Sequence, residues 1–345
     1  MSGYDGPPPG GLPAPTTRLV GRDREAEEVR RLLGTSRLVT LAGVGGTGKT
    51  RLALHVAAEW AADVRWVDLA ALEDPDLVPQ RVAWALGVPD SPGRPVLPAV
   101  VEHLAGRSGL LVLDNCEHLA AACAAVVDRL LRSLPDLRVL ATSREPLGVS
   151  GEACWPVPPL ALPDPDPRTA ADLLRSPAAQ LLVDRARAAS PGFAPTDAEA
   201  PAVARLCRRL DGLPLALELA AARLRVLAVP QLLDRLDTDP RLLADRTRTA
   251  VPRQRTLLAT MDWSHDLLGG GEQRLFRRLS VFPGTFDLDA VEAVGSGAGI
   301  ARPQVLDLLS GLVDRSLVAV DRGPGGATRY RLLETVRRDA AAKLD

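Results

Sequence analysis

Four short apolar runs recur in the first half of the chain. They are "RLVTLAG" (37–43), "VRWVDLA" (64–70), "GLLVLD" (109–114) and "LRVLATSR" (137–144). Each run is apolar at consecutive positions, which is typical of short strands covered on both faces. Helical patterns precede and separate them, for example at 19–33 and about 49–61. This alternation predicts an α/β fold, a parallel β-sheet with helices on both faces.

The pattern changes after the fourth run. Residues 156–167, "PVPPLALPDPDP", contain six prolines and no periodicity, which indicates a linker. From about 168 to 246 the pattern is helical, and one apolar stripe at i, i+3, i+4 and i+7 ends at Gly212, where a helix cap is expected. That stripe consists of Val203, Leu206, Cys207 and Leu210. A small helical region therefore follows the sheet.

The last hundred or so residues predict a third module. Helical patterns at "RQRTLLATMDWSHDLL", "GEQRLFRRLSVF", 287–294 and 302–314 precede two alternating runs around a Gly-rich turn, "SLVAVDRGPGGATRYRLL". Such a pair of runs predicts a β-hairpin. A final helix, "ETVRRDAAAKL", ends the sequence. Helices followed by a hairpin wing indicate a winged-helix domain.

Composition narrows the class of protein. The chain is 46% hydrophobic and 25% charged, as in globular proteins, and no apolar run approaches the roughly 20 residues that span a bilayer. The Pro- and Gly-rich residues 1–16 predict a disordered tail and lack the features of a secretory signal. The four cysteines show no metal-ligand spacing, so a cytoplasmic location is the simplest expectation. The net charge of −1 provides no general attraction to nucleic acid.

The strongest motif lies directly after the first run. "GVGGTGKT", Gly43 to Thr50, matches the pattern G-x-x-x-x-G-K-[S/T] between a predicted strand and a predicted helix. Its glycines allow successive N–H groups to face phosphate oxygens, and the following helix adds its N-terminal dipole. Lys49 is expected to bind the β and γ phosphates, and Thr50 to bind Mg²⁺. Only two of the 42 basic residues are lysines, Lys49 and Lys343, which favours a specific requirement at position 49. The alternative is a Gly-rich turn without a ligand.

Two more side chains are expected beside this loop. Asp114 ends the third run, where a carboxylate can hold Mg²⁺; alternatively, it caps the next helix. Thr142, Ser143 and Arg144 end the fourth run, and ligands in such sheets lie beyond the carboxyl ends of strands. Arg144 could therefore contact the γ-phosphate, or it is a surface arginine.

Seven motifs in order resemble one protein family. They are "LVGRDRE", "LAGVGGTGKTRLA", "LLVLDNCEHL", "RVLATSREPL", "CRRLDGLPLALELAAARL", "TLLATMDWSHDLL" and "YRLLETVRRDAA". Together they resemble the STAND class of P-loop NTPases, relatives of NB-ARC and AAA+ proteins, and in particular the ATPase core of actinobacterial SARP-type and LuxR-type transcriptional regulators. The resemblance covers about residues 17–345.

The resemblance implies three modules and a set of nucleotide contacts. The modules are a nucleotide-binding domain at 17–160, a helical domain at 161–249 and a winged-helix domain at 250–345. It implies catalytic roles for Lys49, Asp114 and Arg144, with Mg²⁺ held by Thr50 and Asp114. The implied ATP- or ADP-binding residues are Val20, Gly21, Arg22, Gly43, Val44, Gly45, Gly46, Thr47, Gly48, Lys49, Thr50, Arg51 and Pro214.

Relatives of this kind are switches, closed with ADP and open and oligomeric with ATP. The resemblance therefore implies a slow ATPase with a sensor repeat array or an effector domain beyond residue 345, and no membrane partner. The sequence departs from the family pattern at two places that bear on the expected hydrolysis and switching. Asn115 stands where many members carry a second acid that activates water, and Glu117 is expected in the following helical turn. Leu332, Leu333 and Glu334 align with a Met-His-Asp signature, and Leu333 cannot make the polar contact of that histidine.

Three functions remain open at this point. The leading expectation is an ATP/ADP switch that forms the core of a signalling protein or transcriptional regulator. An AAA+-type ATPase with rapid turnover is the second. The third is a DNA-binding regulator that uses the winged helix, although the predicted recognition helix, "RPQVLDLLSGLVDRS", is not notably basic.

Overall fold

The computed structural model describes residues 10–89, 93–238, 243, 257–322 and 327–344. The chain divides into two compact units. The first comprises residues 1–43 and 49–157, and the second comprises residues 44–48 and 158–345.

The first unit is built on a five-stranded sheet. Its strands are β1 (Leu38–Ala42), β2 (Asp63–Asp68), β3 (Gly109–Asp114), β4 (Leu137–Ser143) and β5 (Glu152–Pro156), in the spatial order β2-β3-β4-β1-β5. Every neighbouring pair is parallel. The helices of this unit are α1 (Asp23–Thr35), α2 (Lys49–Ala58), α3 (Val78–Ala85), α4 (Val96–Leu104) and α5 (Ala120–Ser133). The predicted α/β fold is confirmed.

Both faces of the sheet are covered, as the unbroken apolar runs predict. Along β3, Leu111 and Leu113 enter one hydrophobic cluster, whereas Leu110 and Val112 enter another. The first cluster includes residues of α3, α4 and α5, and the second includes residues of α1 and α2. Because successive side chains of a strand point to opposite faces, a strand between two helical layers must be apolar at every position.

Two features of the first unit differ from the sequence prediction. The structure adds β5 just before the proline-rich segment, where no strand is predicted. It also places part of the predicted disordered tail, because the Gly10 carbonyl accepts a 2.8 Å hydrogen bond from the Trp66 N–H and Leu12 packs against the core. Trp66 lies in the edge strand β2, whose N–H groups need partners that a neighbouring strand does not supply there. Residues 1–9 of the predicted tail lie outside the described residues.

The second unit begins with helices. These are α6 (Ala170–Leu173), α7 (Pro177–Ala189), α8 (Ala200–Arg209), α9 (Pro214–Arg223) and α10 (Val229–Thr238). The predicted stripe on α8 is buried throughout. Gly212 adopts φ 65°, the left-handed conformation that ends helices, and its N–H donates to the Cys207 carbonyl at 3.0 Å. This helix therefore ends in the way that the sequence predicts.

The same unit ends in a winged helix. Its elements are α11 (Leu257–Asp266), α12 (Gly270–Leu279), α13 (Leu288–Gly295), α14 (Val305–Asp314), the antiparallel strands β6 (Ala319–Arg322) and β7 (Thr328–Arg331), and α15 (Glu334–Ala342). α12 packs against α13, α14 and α15, and its Phe276 is fully buried. Phe286 and Tyr330 exchange two main-chain hydrogen bonds that tie the wing to the helices. No helix in the described part of the chain is long and apolar enough to cross a bilayer.

Candidate functional site

The phosphate-loop motif forms the turn between β1 and α2. Gly46 and Gly48 adopt φ 87° and 91°, a conformation that side-chain-bearing residues rarely adopt. Thr47 is buried, and its hydroxyl donates to the Val44 carbonyl at 3.0 Å. The loop is therefore held in a tight curve from within, as a backbone cradle for phosphate requires.

Lys49, the first residue of α2, is buried beneath this loop. Its ammonium donates to the Gly43 carbonyl at 2.7 Å. Burial lowers the pKa of Lys49 to about 8, and the repulsion of Arg144 acts in the same direction, while Glu117 and Asp114 oppose them. A buried cation among groups of both signs is an electrostatic partner for an anion that enters the loop.

Asp114 ends β3 and is nearly fully buried. Its Oδ1 accepts hydrogen bonds from the Thr50 hydroxyl at 2.8 Å and from the Thr142 hydroxyl at 2.5 Å. Its Oδ2 accepts from the Asn115 amide at 3.0 Å. These contacts, and not a helix N-terminus, engage the carboxylate, so the capping alternative does not describe this residue. Burial raises the pKa of Asp114 to about 6, although the two threonine hydroxyls act to lower it.

Thr50 and Asp114 offer the oxygen ligands that Mg²⁺ prefers. Within the described residues there is no group of three or more His, Cys, Asp or Glu that could hold a metal ion by itself. The Thr50 hydroxyl and the Asp114 carboxylate fit Mg²⁺, which is commonly held by one or two protein oxygens together with substrate phosphates and water. An ion bound there would neutralise charge on the phosphates.

The Asn115 side chain acts as a hydrogen-bond donor to neighbouring carboxylates, unlike a catalytic acid at this position. Its side-chain amide donates to Asp114 and, at 3.4 Å, to Asp68, which ends β2 opposite Asp114 in register. The amide thus bridges two carboxylates, a role that an acid at position 115 could not perform. Asp68 was not singled out from the sequence, although an acid at the end of a second strand was a signal that could have identified it.

Arg144 and Glu117 form a buried ion pair. The Arg144 Nε donates to Glu117 Oε1 at 3.3 Å, and the two side chains are 8% and 11% exposed. The alternative that Arg144 is a surface arginine is therefore wrong. Glu117 lies in a 3₁₀ turn, Cys116–His118, that precedes α5. The structure thus brings together Lys49, Asp114, Arg144 and Glu117 at the carboxyl ends of the strands.

The segment just before the predicted nucleotide-binding residues Val20 and Gly21 lies against α2. The Arg51 guanidinium donates to the main-chain carbonyls of Thr17 and Arg18 at 2.9 and 2.7 Å. These bonds fix the segment that leads to Val20 and Gly21 beside the helix that follows the phosphate loop. The Arg51 side chain therefore positions this segment.

Arg22 precedes α1 and is 3% exposed. Burial lowers its pKa, while its 2.8 Å ion pair with Glu25 acts to raise it. The ion pair with Glu25 orients this buried guanidinium, and Val20 is buried as well.

Pro214 begins α9, a position that suits proline because the first N–H groups of a helix have no partner within the helix. Within the second unit, the Leu215 N–H donates to the Gly46 carbonyl at 3.2 Å. A side chain at Gly46 would come within 3.0 Å of the Leu215 Cβ. The start of α9 therefore contacts the residues of the loop that belong to this unit.

Asp211 makes a long-range contact that the sequence did not predict. Its carboxylate accepts from the N–H groups of Glu334 and Thr335, at 3.0 and 2.7 Å, and from the Thr335 hydroxyl at 2.8 Å. The residue before α15, Leu333, supplies no side-chain cap, so Asp211 caps this helix from 123 residues away. The capping acid lies next to the cap glycine Gly212 and shortly before α9. The segment preceding α9 is thereby tied to the helix that begins directly after Leu333.

Comparison with known proteins agrees with this architecture. Residues 268–345 match a family model described as a winged helix-turn-helix domain. The uncharacterized protein Rv0894 of Mycobacterium tuberculosis is 45% identical over 333 residues, covering 95% of this chain and 81% of that protein. A protein of the same organism named as an HTH-type transcriptional regulator, Rv0890c, is 49% identical over 320 residues, covering 92% of this chain. The chain spans only 35% of the length of Rv0890c.

Among solved structures, a Walker-type ATPase of Pyrococcus abyssi aligns with a TM-score of 0.53 at 14% identity. The alignment covers 93% of this chain and 96% of the other. At this level of identity the similarity shows a shared fold.

Proposed function

We propose that this chain, which belongs to one family with Rv0894, is a P-loop NTPase of the STAND class and a regulatory switch that binds ADP and ATP. The observation that carries the proposal is the assembly of Lys49, Thr50 and Asp114 at the carboxyl ends of the strands. A buried lysine below a glycine loop, with a hydroxyl and a carboxylate 2.8 Å apart, suits a nucleotide with its Mg²⁺.

The remaining site residues have proposed roles in the same scheme. The loop from Gly43 to Thr50 binds the phosphates. Thr50 and Asp114 hold Mg²⁺, and Arg144 contacts the γ-phosphate. Val20, Gly21 and Arg22 face the adenine and ribose, and Pro214 packs against the base.

The switch is proposed to hydrolyse ATP slowly. Asn115 occupies the place of the second acid found in many relatives, and its amide is engaged with Asp114 and Asp68. The bond between Leu215 and Gly46 and the cap that Asp211 places on α15 supply contacts through which bound nucleotide could act on the second unit. In this scheme ADP favours a closed form and ATP an open form that oligomerises. The additional length of Rv0890c is consistent with a sensor or effector in a longer cytoplasmic regulator.

Calorimetric titration with ADP and Mg²⁺ tests the proposal. We expect saturable binding that Lys49→Ala weakens roughly 10- to 100-fold, because a hydrogen bond to a charged group contributes about 1.5–3 kcal/mol. Arg31→Ala, which removes a cation that is 62% exposed, is the control and should bind normally. If the folded wild-type protein does not bind ADP, or if Lys49→Ala binds it equally well, the proposal is wrong.

The rate of turnover separates the switch from an AAA+-type enzyme. Typical enzymes turn over roughly 1–1000 substrate molecules per second. We expect the purified chain to hydrolyse ATP at a rate below that range and to retain ADP through purification. A steady rate within the range would instead favour the AAA+-type ATPase.

A second function, DNA binding, is favoured by the match of residues 268–345 to a winged helix-turn-helix domain. The charges of the domain oppose it. α14, which contains the core of the predicted recognition helix, carries Asp307 and Asp314 and no lysine or arginine, and Arg302 just before it pairs with Glu292 at 2.7 Å. A gel shift on duplex DNA that weakens with salt would establish this second function.

A further inference from the structure

The backbone after β3 fixes the position of Glu117. Asn115 adopts φ 65°, in the left-handed region, and so turns the chain away from the strand direction. The neighbours of Glu117 are both anchored, because the Cys116 thiol donates to a carbonyl of the preceding strand at 3.4 Å and the His118 Nε2 lies 2.7 Å from the Leu72 carbonyl. The carboxylate is therefore presented by a short, constrained turn and not by a mobile loop.

The two oxygens of this carboxylate have different surroundings. Oε1 accepts from the Arg144 Nε at 3.3 Å. Oε2 is completely buried and has no hydrogen-bond partner among the described residues. A buried carboxylate oxygen without a partner costs free energy, so its persistence beside a ligand site indicates a group that arrives with the ligand.

The charges around Glu117 keep it ionised. Burial acts to raise the pKa of Glu117, but the attraction of Lys49 and Arg144 outweighs it and the pKa is lowered. Both of these cations are themselves proposed phosphate ligands. The carboxylate thus lies among the groups that would surround the γ-phosphate, and it can accept a proton or a hydrogen bond there.

Resting on the proposed function, we propose that Glu117, rather than the residue directly after Asp114, holds and activates the attacking water in ATP hydrolysis. The water oxygen forms a bond to the γ-phosphorus while the bond from that phosphorus to the β–γ bridging oxygen breaks. ADP leaves with the electron pair of the broken bond, and a water proton passes to Glu117 Oε2. The ionised carboxylate is restored when that proton is released to phosphate or solvent.

Measurements of nucleotide binding and turnover distinguish water activation by Glu117 from a role in balancing charge. If the carboxylate only balanced the charges of Lys49 and Arg144, its loss would alter nucleotide affinity or folding and turnover would change through those effects alone. If it holds the water, its loss removes turnover while binding persists. Removal of a negative charge near the phosphates should also strengthen ATP binding, because like charges repel strongly in a poorly solvated site.

The test compares Glu117→Gln with the wild-type chain and with Glu102→Gln, a matched change at a side chain that is 70% exposed. Glutamine keeps the shape but cannot accept the proton. We expect the hydrolysis rate of Glu117→Gln to fall at least about 100-fold. The Kd for ATP with Mg²⁺ should stay equal or decrease, the Kd for ADP should stay within about threefold, and the bound nucleotide should remain ATP after prolonged incubation.

Each other outcome has a definite meaning. A Glu117→Gln rate within about threefold of wild type overturns the assignment, as does a lower rate explained by weaker ATP binding. An ADP affinity near that of wild type shows that the variant is folded. If the wild-type chain binds ADP but hydrolyses no ATP, this inference fails while nucleotide binding stands; if it binds neither nucleotide, the proposed function fails first.

Discussion

At the scale of single residues, the proposed Mg²⁺ ligand Asp114 is under two opposing demands. A carboxylate that holds Mg²⁺ must be ionised, yet this one is buried and has a pKa raised to about 6. The hydroxyls of Thr50 and Thr142 offset part of the cost by donating to it. The residue is therefore expected to favour binding at the expense of stability.

Asp114→Asn tests this conflict. The pKa of Asp114 in the folded chain lies above that of an unfolded aspartate, which is near 3.8. Between about pH 4 and 6 the folded state therefore binds a proton that the unfolded state has lost. The contribution of this protonated carboxyl to stability is lost as the pH rises through that window. At pH 8 the free energy of unfolding of the variant should exceed that of the wild-type chain by up to about 3 kcal/mol, since one pKa unit corresponds to about 1.4 kcal/mol. Urea denaturation of both proteins at pH 4.5 and 8 measures the difference.

The gain should shrink to about 1 kcal/mol at pH 4.5, where aspartate at this position is mostly protonated in the folded chain but mostly ionised in the unfolded chain. Asp128→Asn, a change at a side chain that is 41% exposed, is the control and should show little difference at either pH. An Asp114→Asn variant that is less stable than wild type at pH 8 would contradict the argument. Calorimetry should show in parallel that the variant loses the Mg²⁺ dependence of ATP binding.

At the scale of elements, α15 depends on a residue that lies 123 positions before its first residue. The first N–H groups of a helix have no partners within the helix, and here Asp211 accepts from those of Glu334 and Thr335. Its negative charge also faces the positive end of the helix dipole. Asp211 itself has φ 52°, a conformation that aspartate and asparagine tolerate better than most residues.

Asp211→Ala should therefore destabilise the docking of α15. Loss of a cap and of its hydrogen bonds costs about 0.5–2 kcal/mol, and the strained backbone at alanine adds to that cost. Asp211→Asn should be milder, since asparagine tolerates the conformation and can still accept one hydrogen bond. Amide hydrogen exchange in 334–342 reports the effect, with Asp287→Ala, which removes the local cap of α13, as the matched comparison. Equal protection of α15 in all three variants would contradict the role of Asp211.

The elements themselves were largely predictable from sequence, whereas contacts between distant segments were not. β3 and α8 follow directly from an unbroken apolar run and from a stripe at helical spacing. β5 was missed because "EACWP" mixes polar, apolar and proline residues and is recognisable as a strand only through its pairing with β1. The cap by Asp211 joins residues more than a hundred positions apart, and no local pattern encodes such a contact.

The candidate site shows the same division. Lys49, Thr50 and Asp114 were predicted from motif and spacing, and the structure brings them together. Glu117 lies in a helical turn, as the sequence predicts, but the direction of its carboxylate was not predictable, because it depends on the left-handed backbone of Asn115, a conformation that the residue type permits but does not require. Sequence therefore identified Lys49, Thr50 and Asp114 as candidates, whereas the burial of Glu117 beside Arg144 was visible only in the structure.

At the scale of the whole molecule, a nucleotide that binds only the folded chain must stabilise it. The gain is set by mass action and is about 2.7 kcal/mol when free ligand is 100 times its Kd. For domains of the size of these units, that free energy corresponds to a rise in midpoint of roughly 5–10 °C. ADP with Mg²⁺ should therefore raise the unfolding temperature in proportion to the logarithm of its concentration, as measured by calorimetry or intrinsic fluorescence.

The choice of ligand makes this measurement specific to the phosphate loop. AMP carries the same base and ribose as ADP but lacks the β-phosphate that Lys49 is proposed to bind, so at equal concentration it should raise the midpoint much less. Lys49→Ala should respond to ADP about as weakly as the wild-type chain responds to AMP, because either change removes one side of the same contact. If ADP and AMP raise the midpoint of the wild-type chain equally, the binding energy comes from the groups that the two nucleotides share. That result would contradict a switch that recognises the β-phosphate.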